Sequence, residues 1–272
     1  MPRWLQPAHH RSDIKIMFAL NRKTQKRYYD DPSLGECIAH VVKIDGNRVE
    51  LDVTVAYPEG GGQDADQGVI VLPDGHQIRF VHVRRMYGNR ALIPDFPDIQ
   101  VDGIIEHVVH ENDIPLLALL KEGQQVVVCI DRLRRARLSL SHTASHLLYL
   151  GVMEVRPDAI AATLGCHIRP DAARFDFGIA DRFKADEVAE IERLANALVL
   201  RGSAVRVYAH EQYPDARYWE CEGKVIPCGG THIQSTAAIG PMQVSRKSLG
   251  KCKERLAVNF HEAMFEGAVG HL

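Results

Sequence analysis

Ser141-His142-Thr143-Ala144-Ser145-His146-Leu147-Leu148 sets two histidines four residues apart in a stretch with helical character. On an α-helix, positions i and i+4 lie on one face, one above the other, so both imidazoles reach a common point. Pro227-Cys228-Gly229-Gly230-Thr231-His232 repeats that spacing with a cysteine and a histidine. His142, His146, Cys228 and His232 together offer three nitrogens and one sulfur, a donor set suited to one tetrahedral Zn2+. The histidine pair alone is a weak signal, since histidines pair by accident and a buried helix can hold two satisfied imidazoles. The second stretch favours the metal, because Gly229 and Gly230 permit the close backbone approach that a ligand loop needs.

Outward from the histidine pair the pattern is helical. Asp131 is a good N-cap, no proline or glycine follows until Gly151, and Leu133, Ala136, Leu140, Ala144, Leu147 and Leu148 recur at helical spacing. A second helix is expected over 184–200, with Val188, Ile191, Leu194, Ala195 and Leu198 on one stripe and Gly202 as its stop. Strands are expected near 204–208, 240–244 and 255–260, which makes the second half helices laid on an antiparallel sheet.

Upstream of Asp131 the period changes to two. Strands are expected over 37–44, 48–55, 68–72, 77–83, 103–109 and 125–130, with turns at Asp45-Gly46-Asn47 and Pro73-Asp74-Gly75 and a loop over 95–100. Strands so spaced point to a small antiparallel barrel. The fold class is therefore α+β, a small antiparallel barrel followed by helices on an antiparallel sheet. The expected domains are a flexible basic extension over 1–27, a barrel over 28–131 and a metal-binding domain over 132–272. Residues 1–27 carry seven Lys or Arg against one Asp; a floppy extension is favoured over an RNA-binding arm. Met17 is a possible alternative start.

Composition narrows the function classes. The chain has 272 residues, 46% hydrophobic and 25% charged, with a net charge of −2. That is ordinary for a soluble protein and carries no global basic signature, so any RNA contact must come from local patches. Its six cysteines are scattered rather than arranged as a secreted disulfide framework. No apolar run approaches a membrane span and no secretory signal is visible, so the expected setting is the cytoplasm, with no membrane partner.

The stretches HTASHLL and CGGTHI resemble the two metal-binding motifs of the editing domain of alanyl-tRNA synthetase, a domain also found in freestanding editing proteins of the AlaX type. A third stretch, Ala56-Tyr57-Pro58-Glu59-Gly60-Gly61-Gly62-Gln63-Asp64-Ala65-Asp66-Gln67-Gly68, resembles the glycine-rich motif in the N-terminal domain of the longer AlaX proteins. The three motifs occur in the family order, from about Tyr28 to the C-terminus.

The resemblance implies a zinc-dependent hydrolase that deacylates mischarged tRNA-Ala in trans, Ser-tRNA-Ala first and Gly-tRNA-Ala second. It implies that Thr143 reads the serine hydroxyl. Gly61, Gly62 and Gln63 would bring backbone N–H groups and a side-chain amide near the ester. Three glycines in a row are costly in chain entropy, which argues for more than a plain turn. The motif is no phosphate loop, since no Gly-Lys-Ser/Thr follows, and no nucleotide cofactor is expected. Two basic groups are candidates for the tRNA backbone: Arg132 and Arg135 with their neighbours, and the loop holding Arg246, Lys247, Lys251 and Lys253. Asp176 reads as structural, and Cys166, His167 and Cys221 fall outside the ligand set. Three other readings stay open: deacylation of Ser-tRNA-Thr, a tRNA-binding module whose four-ligand zinc is purely structural, and a zinc hydrolase of small esters or amides.

Overall fold

The computed structural model describes residues 22–260. The barrel is built from β1 (Glu36–Asp45), β2 (Arg48–Leu51), β3 (Gly68–Val71), β4 (Gln77–Met86), β5 (Ile104–Val109) and β6 (Gln125–Ile130). It closes in the order β6-β1-β2-β5-β4-β3, and every pairing is antiparallel. Alternating side chains point inward, so Val126 and Val128 of β6 meet Val41, Leu51, Ile70, Ile78 and Phe80 in the interior. Closure leaves these strands no edge to pair wrongly. The tight turn between β1 and β2 depends on Gly46, whose φ is +62°.

One boundary differs from expectation. Residues 22–27 belong to the fold and not to a floppy arm. Gln25–Lys26 pairs in parallel with Val53–Thr54. The Thr24 hydroxyl donates to the Leu51 carbonyl at 3.0 Å and accepts from the Ile105 N–H at 2.9 Å. Lys26 is buried and its ammonium pairs with Asp215 at 2.5 Å. A basic residue in sequence looks solvated; here a distant carboxylate neutralises it. The rest of the expected extension, Met17 included, lies outside the described residues, as does 261–272.

The barrel feeds directly into the long helix α1 (Arg132–Val155). Asp131 caps it by accepting from the Arg134 N–H at 2.9 Å. The helix runs through Gly151, where a Cβ would lie 2.9 Å from the Ile191 carbonyl oxygen of α2 (Ala185–Arg201). Glycine in a helix interior costs about 1 kcal/mol; its use at 151 lets the two helices touch. Ile191, Ala195 and Val199 form the buried stripe of α2, which ends at left-handed Gly202.

Both helices pack on a four-stranded antiparallel sheet of β7 (Thr163–Arg169), β8 (Ala172–Phe177), β12 (Met242–Ser248) and β13 (Glu254–Phe260), in the order β7-β8-β13-β12. A separate antiparallel ribbon holds β9 (Val205–Ala209), β10 (Arg217–Cys221) and β11 (Lys224–Pro227). The pair β7–β8 and the hairpin β10–β11 were not expected. Thr-Leu-Gly-Cys-His-Ile-Arg and Arg-Tyr-Trp-Glu-Cys lack the clean alternation of the barrel strands.

Candidate metal centre and its cleft

Helix α1 presents His142 and His146 one turn apart, with ring centroids 5.0 Å from each other. The chain leaving β11 brings Cys228 and His232 to the same point. A Cβ on Gly230 would fall 2.1 Å from His142 Cε1, so only glycine lets the loop pass over the imidazole. Cys228 Sγ lies 3.4 Å from His142 Nε2 and 3.3 Å from His232 Nε2. All four donor atoms lie within 4.8 Å of one another. Donors around a tetrahedral zinc are about 3.3–3.6 Å apart, given Zn–N of about 2.0–2.1 Å and Zn–S of about 2.3 Å. The two sulfur–nitrogen separations match that edge length, so the residues fit a metal ion of zinc's size and softness.

The outer partners fix which nitrogen faces the centre. Gln63 Oε1 accepts from the Thr231 backbone N–H at 3.0 Å, which orients the amide. The same oxygen lies 2.8 Å from His142 Nδ1 and accepts a hydrogen bond from its N–H. The Gln63 amide nitrogen donates to Thr231 Oγ1 at 3.0 Å. The Thr143 hydroxyl donates to the Ser139 carbonyl at 2.9 Å and therefore accepts from His232 Nδ1 at 3.2 Å. In both rings the Nδ1 proton is held outward and the Nε2 lone pair points inward. His146 stacks on Trp219, centroids 4.7 Å apart.

Burial keeps these imidazoles neutral. It holds the His142 pKa down at about 3 and pushes His146 and His232 well below the usual histidine value. Burial raises the Cys228 thiol to about 12 when no cation is present. A metal would reverse that, since a coordinated thiol is deprotonated.

The cluster opens into a cleft of about 550 Å³. One wall is the glycine turn. Gly60 and Gln63 exchange backbone hydrogen bonds of 3.2 and 3.0 Å, and Gly61 and Gly62 both have positive φ, the geometry of a type I′ turn. Strand β7 clamps this turn: the Ile168 N–H donates to the Gly62 carbonyl at 2.8 Å and the Asp64 N–H to the Ile168 carbonyl at 3.0 Å. The barrel's glycine motif is thereby stitched to the second half of the chain, beside the cluster. Gly60 and Gly61 line the cleft with His142, His146 and Cys228. Gln63 and Thr143 do not line it; both are fully buried beneath the imidazoles.

No protein-family profile matches the chain. Curated relatives do. An alanine–tRNA ligase of Pyrococcus furiosus is 32% identical over 245 residues, covering 82% of this chain and 24% of the ligase. One from Methanopyrus kandleri is 33% identical over 269 residues, covering 90% and 27%. One from Methanosarcina mazei is 33% identical over 251 residues, covering 82% and 24%. The chain is a homologue of one segment of the alanine–tRNA ligases. It spans about a quarter of their length.

In this alanine–tRNA ligase homologue the expected basic contacts divide. Arg135 is corrected: it is buried, donates to the carboxylate of Asp66 and bonds the carbonyls of Pro32 and Val55 at 2.8 and 2.7 Å. It cannot meet a phosphate, because it neutralises an otherwise unpaired buried carboxylate. Arg132 is exposed and lies over Gly35. Arg246 pairs with buried Glu254 at 2.5 Å. Lys247, Lys251 and Lys253 are exposed around the β12–β13 hairpin. Asp176 pairs with Arg174 and Arg255, the structural role expected of it. Sequence reading missed Trp219, which supports His146, and Tyr29 and Arg85, which line the cleft; no motif marks them. Among the described residues no helix is long and apolar enough to cross a membrane.

Proposed function

We propose that this chain is a zinc-dependent hydrolase that deacylates mischarged tRNA-Ala in trans, with Ser-tRNA-Ala the first substrate and Gly-tRNA-Ala the second. The carrying observation is the contact between Gln63 and His142, which joins the barrel's glycine motif to the His142–His146–Cys228–His232 cluster at one cleft. Homology to alanine–tRNA ligases supports a tRNA-related role, and likeness to their editing domain supports ester hydrolysis. Zinc, when bound, supplies a Lewis acid that polarises a carbonyl or lowers the pKa of water toward about 7.

The protein's own part is positioning. Gln63 and Thr143 hold two imidazoles in the tautomer that donates Nε2 to the centre. Gly60 and Gly61 give a wall without side chains, where the ester and its small amino acid approach backbone. Thr143 is proposed to act through His232, since its hydroxyl is already engaged by Ser139 and His232. Lys247, Lys251, Lys253 and Arg132 are proposed as outer contacts to the tRNA backbone. The catalytic unit is taken as the barrel together with the helix-and-sheet half. A reducing cytoplasm suits a centre that needs the Cys228 thiolate, and all six cysteines are free.

A second reading has one observation in its favour. Four protein donors fill a tetrahedral shell, as in purely structural zinc sites, which would make the chain a tRNA-binding module. Purified chain incubated with Ser-, Gly- and Ala-charged tRNA-Ala and with Ser-charged tRNA-Thr separates the possibilities. The proposal expects Ser-tRNA-Ala to be consumed fastest and Ala-tRNA-Ala to be spared. Preference for Ser-tRNA-Thr would reassign the substrate, and hydrolysis of none would leave the binding module.

A further inference from the structure

Tyr29 stands at the meeting point of three hollows. It lines the metal cleft, a second hollow of about 680 Å³ beside Lys26 and Arg217, and a third of about 420 Å³ that reaches Gly230 and His232. Its hydroxyl lies 3.3 Å from where a Gly229 Cβ would be, next to the ligand Cys228. Any chain-like ligand leaving the metal cleft on this side passes Tyr29 first.

Two arginines hold this tyrosine, and neither has a carboxylate at ion-pair distance among the described residues. Arg85 donates to the Tyr29 hydroxyl at 3.0 Å and to the Gln100 carbonyl at 2.9 Å. Arg217 lies over the Tyr29 ring, Cζ 5.0 Å from its centroid. The nearby carboxylates are committed elsewhere. Asp215 pairs with Lys26 at 2.5 Å and accepts from the Asp102 N–H at 2.6 Å, and Asp30 pairs with Arg27 at 3.3 Å. Lys26, Arg85 and Arg217 thus face one interior carboxylate, an excess of positive charge. Arg217 is half-buried, and desolvation disfavours its charge. A partly desolvated guanidinium whose charged neighbours, Asp30 and Asp215, are each paired with another cation is primed for an anion, and its planar fork suits phosphate.

We propose that Arg217, over the Tyr29 ring, and Arg85, at its hydroxyl, form a phosphodiester-binding subsite for the single-stranded RNA end whose last nucleoside enters the metal cleft. The phosphate assigned to it is the one preceding that nucleoside, since Tyr29 lines the metal cleft and adjoins the Cys228 loop. The tyrosine ring adds a stacking surface for a base, a contact that tolerates any sequence. The identity of the RNA rests on the proposed function; the phosphate chemistry does not.

The test uses the zinc-loaded full chain and the variants Arg217→Met and Arg217→Lys. Arg217→Met keeps a stem over Tyr29 and removes the charge, and Arg217→Lys restores the charge. The first readout is binding of a short uncharged single-stranded RNA ending in adenosine, measured across salt concentrations. Arg217→Met is expected to lower the log–log salt slope by about 0.7, one phosphate of a single strand, and to weaken binding roughly four-fold at 0.15 M salt, which that slope gives relative to 1 M. Arg217→Lys is expected to restore the slope.

The second readout is hydrolysis of a seryl ester of adenosine that carries no phosphate, against Ser-tRNA-Ala. Arg217→Met should leave the phosphate-free ester at the wild-type rate and raise KM for the tRNA. An unchanged slope, or equal losses on both esters, would overturn the subsite and make Arg217 a prop for Tyr29. Arg85→Met carries the same slope expectation if Arg217→Met does not fold. If the wild type hydrolyses neither ester while the slope still drops, the subsite stands and the deacylase reading falls.

Discussion

Gln63 Oε1, from the barrel, accepts a hydrogen bond from His142 Nδ1, on the long helix, at 2.8 Å. Seventy-nine positions of sequence separate the two residues, and the contact couples the two halves of the chain through one proton. It predicts that Gln63 governs metal affinity without touching the metal. Gln63→Ala should weaken zinc binding about 10–100-fold, the usual effect of losing an outer partner of a ligand histidine, and Gln63→Glu should weaken it less because an acceptor remains. Chelator competition measures both; equal affinity in all three proteins would make the contact incidental.

Thr143 gives a parallel case. Its hydroxyl donates a hydrogen bond to the Ser139 carbonyl and accepts one from His232 Nδ1–H. Thr143→Val removes both contacts at constant shape and should cost roughly 1–3 kcal/mol in stability or metal affinity. Thr143→Ser should restore most of it. If Thr143→Val keeps full zinc affinity and loses only discrimination between seryl and alanyl esters, the hydroxyl reads substrate, as the family resemblance implied.

How much of this was legible in the sequence depended on range. The pairs His142–His146 and Cys228–His232 carry their geometry in local spacing, and the barrel strands carry theirs in β-branched alternation, as in Val126-Val127-Val128. The burial of Arg135 was not legible. It sits in a run of arginines that reads as a solvated face, and its partner Asp66 is 69 positions away. Lys26 misled for the same reason, since Asp215 neutralises it only in the fold. Thr143 stands next to His142 in sequence, but the direction of its hydroxyl depends on Ser139 and His232 together.

Arg135 and the β12–β13 hairpin therefore predict opposite phenotypes. Arg135→Ala leaves the Asp66 carboxylate buried without its partner and should destabilise the fold by about 3–5 kcal/mol. Changing Lys247, Lys251 and Lys253 to Ala should leave the melting temperature unchanged and lower the salt slope of tRNA binding by about 0.7–0.9 per lost phosphate contact. Thermal melts and salt titrations of the two variants check this. A stable Arg135→Ala protein with weakened tRNA binding would reverse the assignment.

Zinc uptake should depend on pH in a defined way. The metal-free Cys228 thiol has its pKa raised to about 12, whereas His142 stays neutral down to about 3. Zinc binding at neutral pH then releases one proton, from the thiol, and affinity should rise about tenfold per pH unit between pH 6 and 9. Metal-free stability should run the same way at lower pH. The unfolded histidines take up protons near 6.5 and the buried ones do not, so stability falls as pH drops from about 6.5 toward 3. A pH-independent zinc affinity would mean that the thiol is already ionised.

The central claim is that this metal cluster serves ester hydrolysis. The most direct measurement is the rate of Ser-tRNA-Ala deacylation by one preparation of the wild-type chain, taken zinc-loaded, after chelation, and after zinc is restored, with folding followed by circular dichroism. The account predicts activity that is lost with zinc while the fold persists and that returns with it. Full activity in the folded, zinc-free protein would contradict it, as would no activity in the zinc-loaded one.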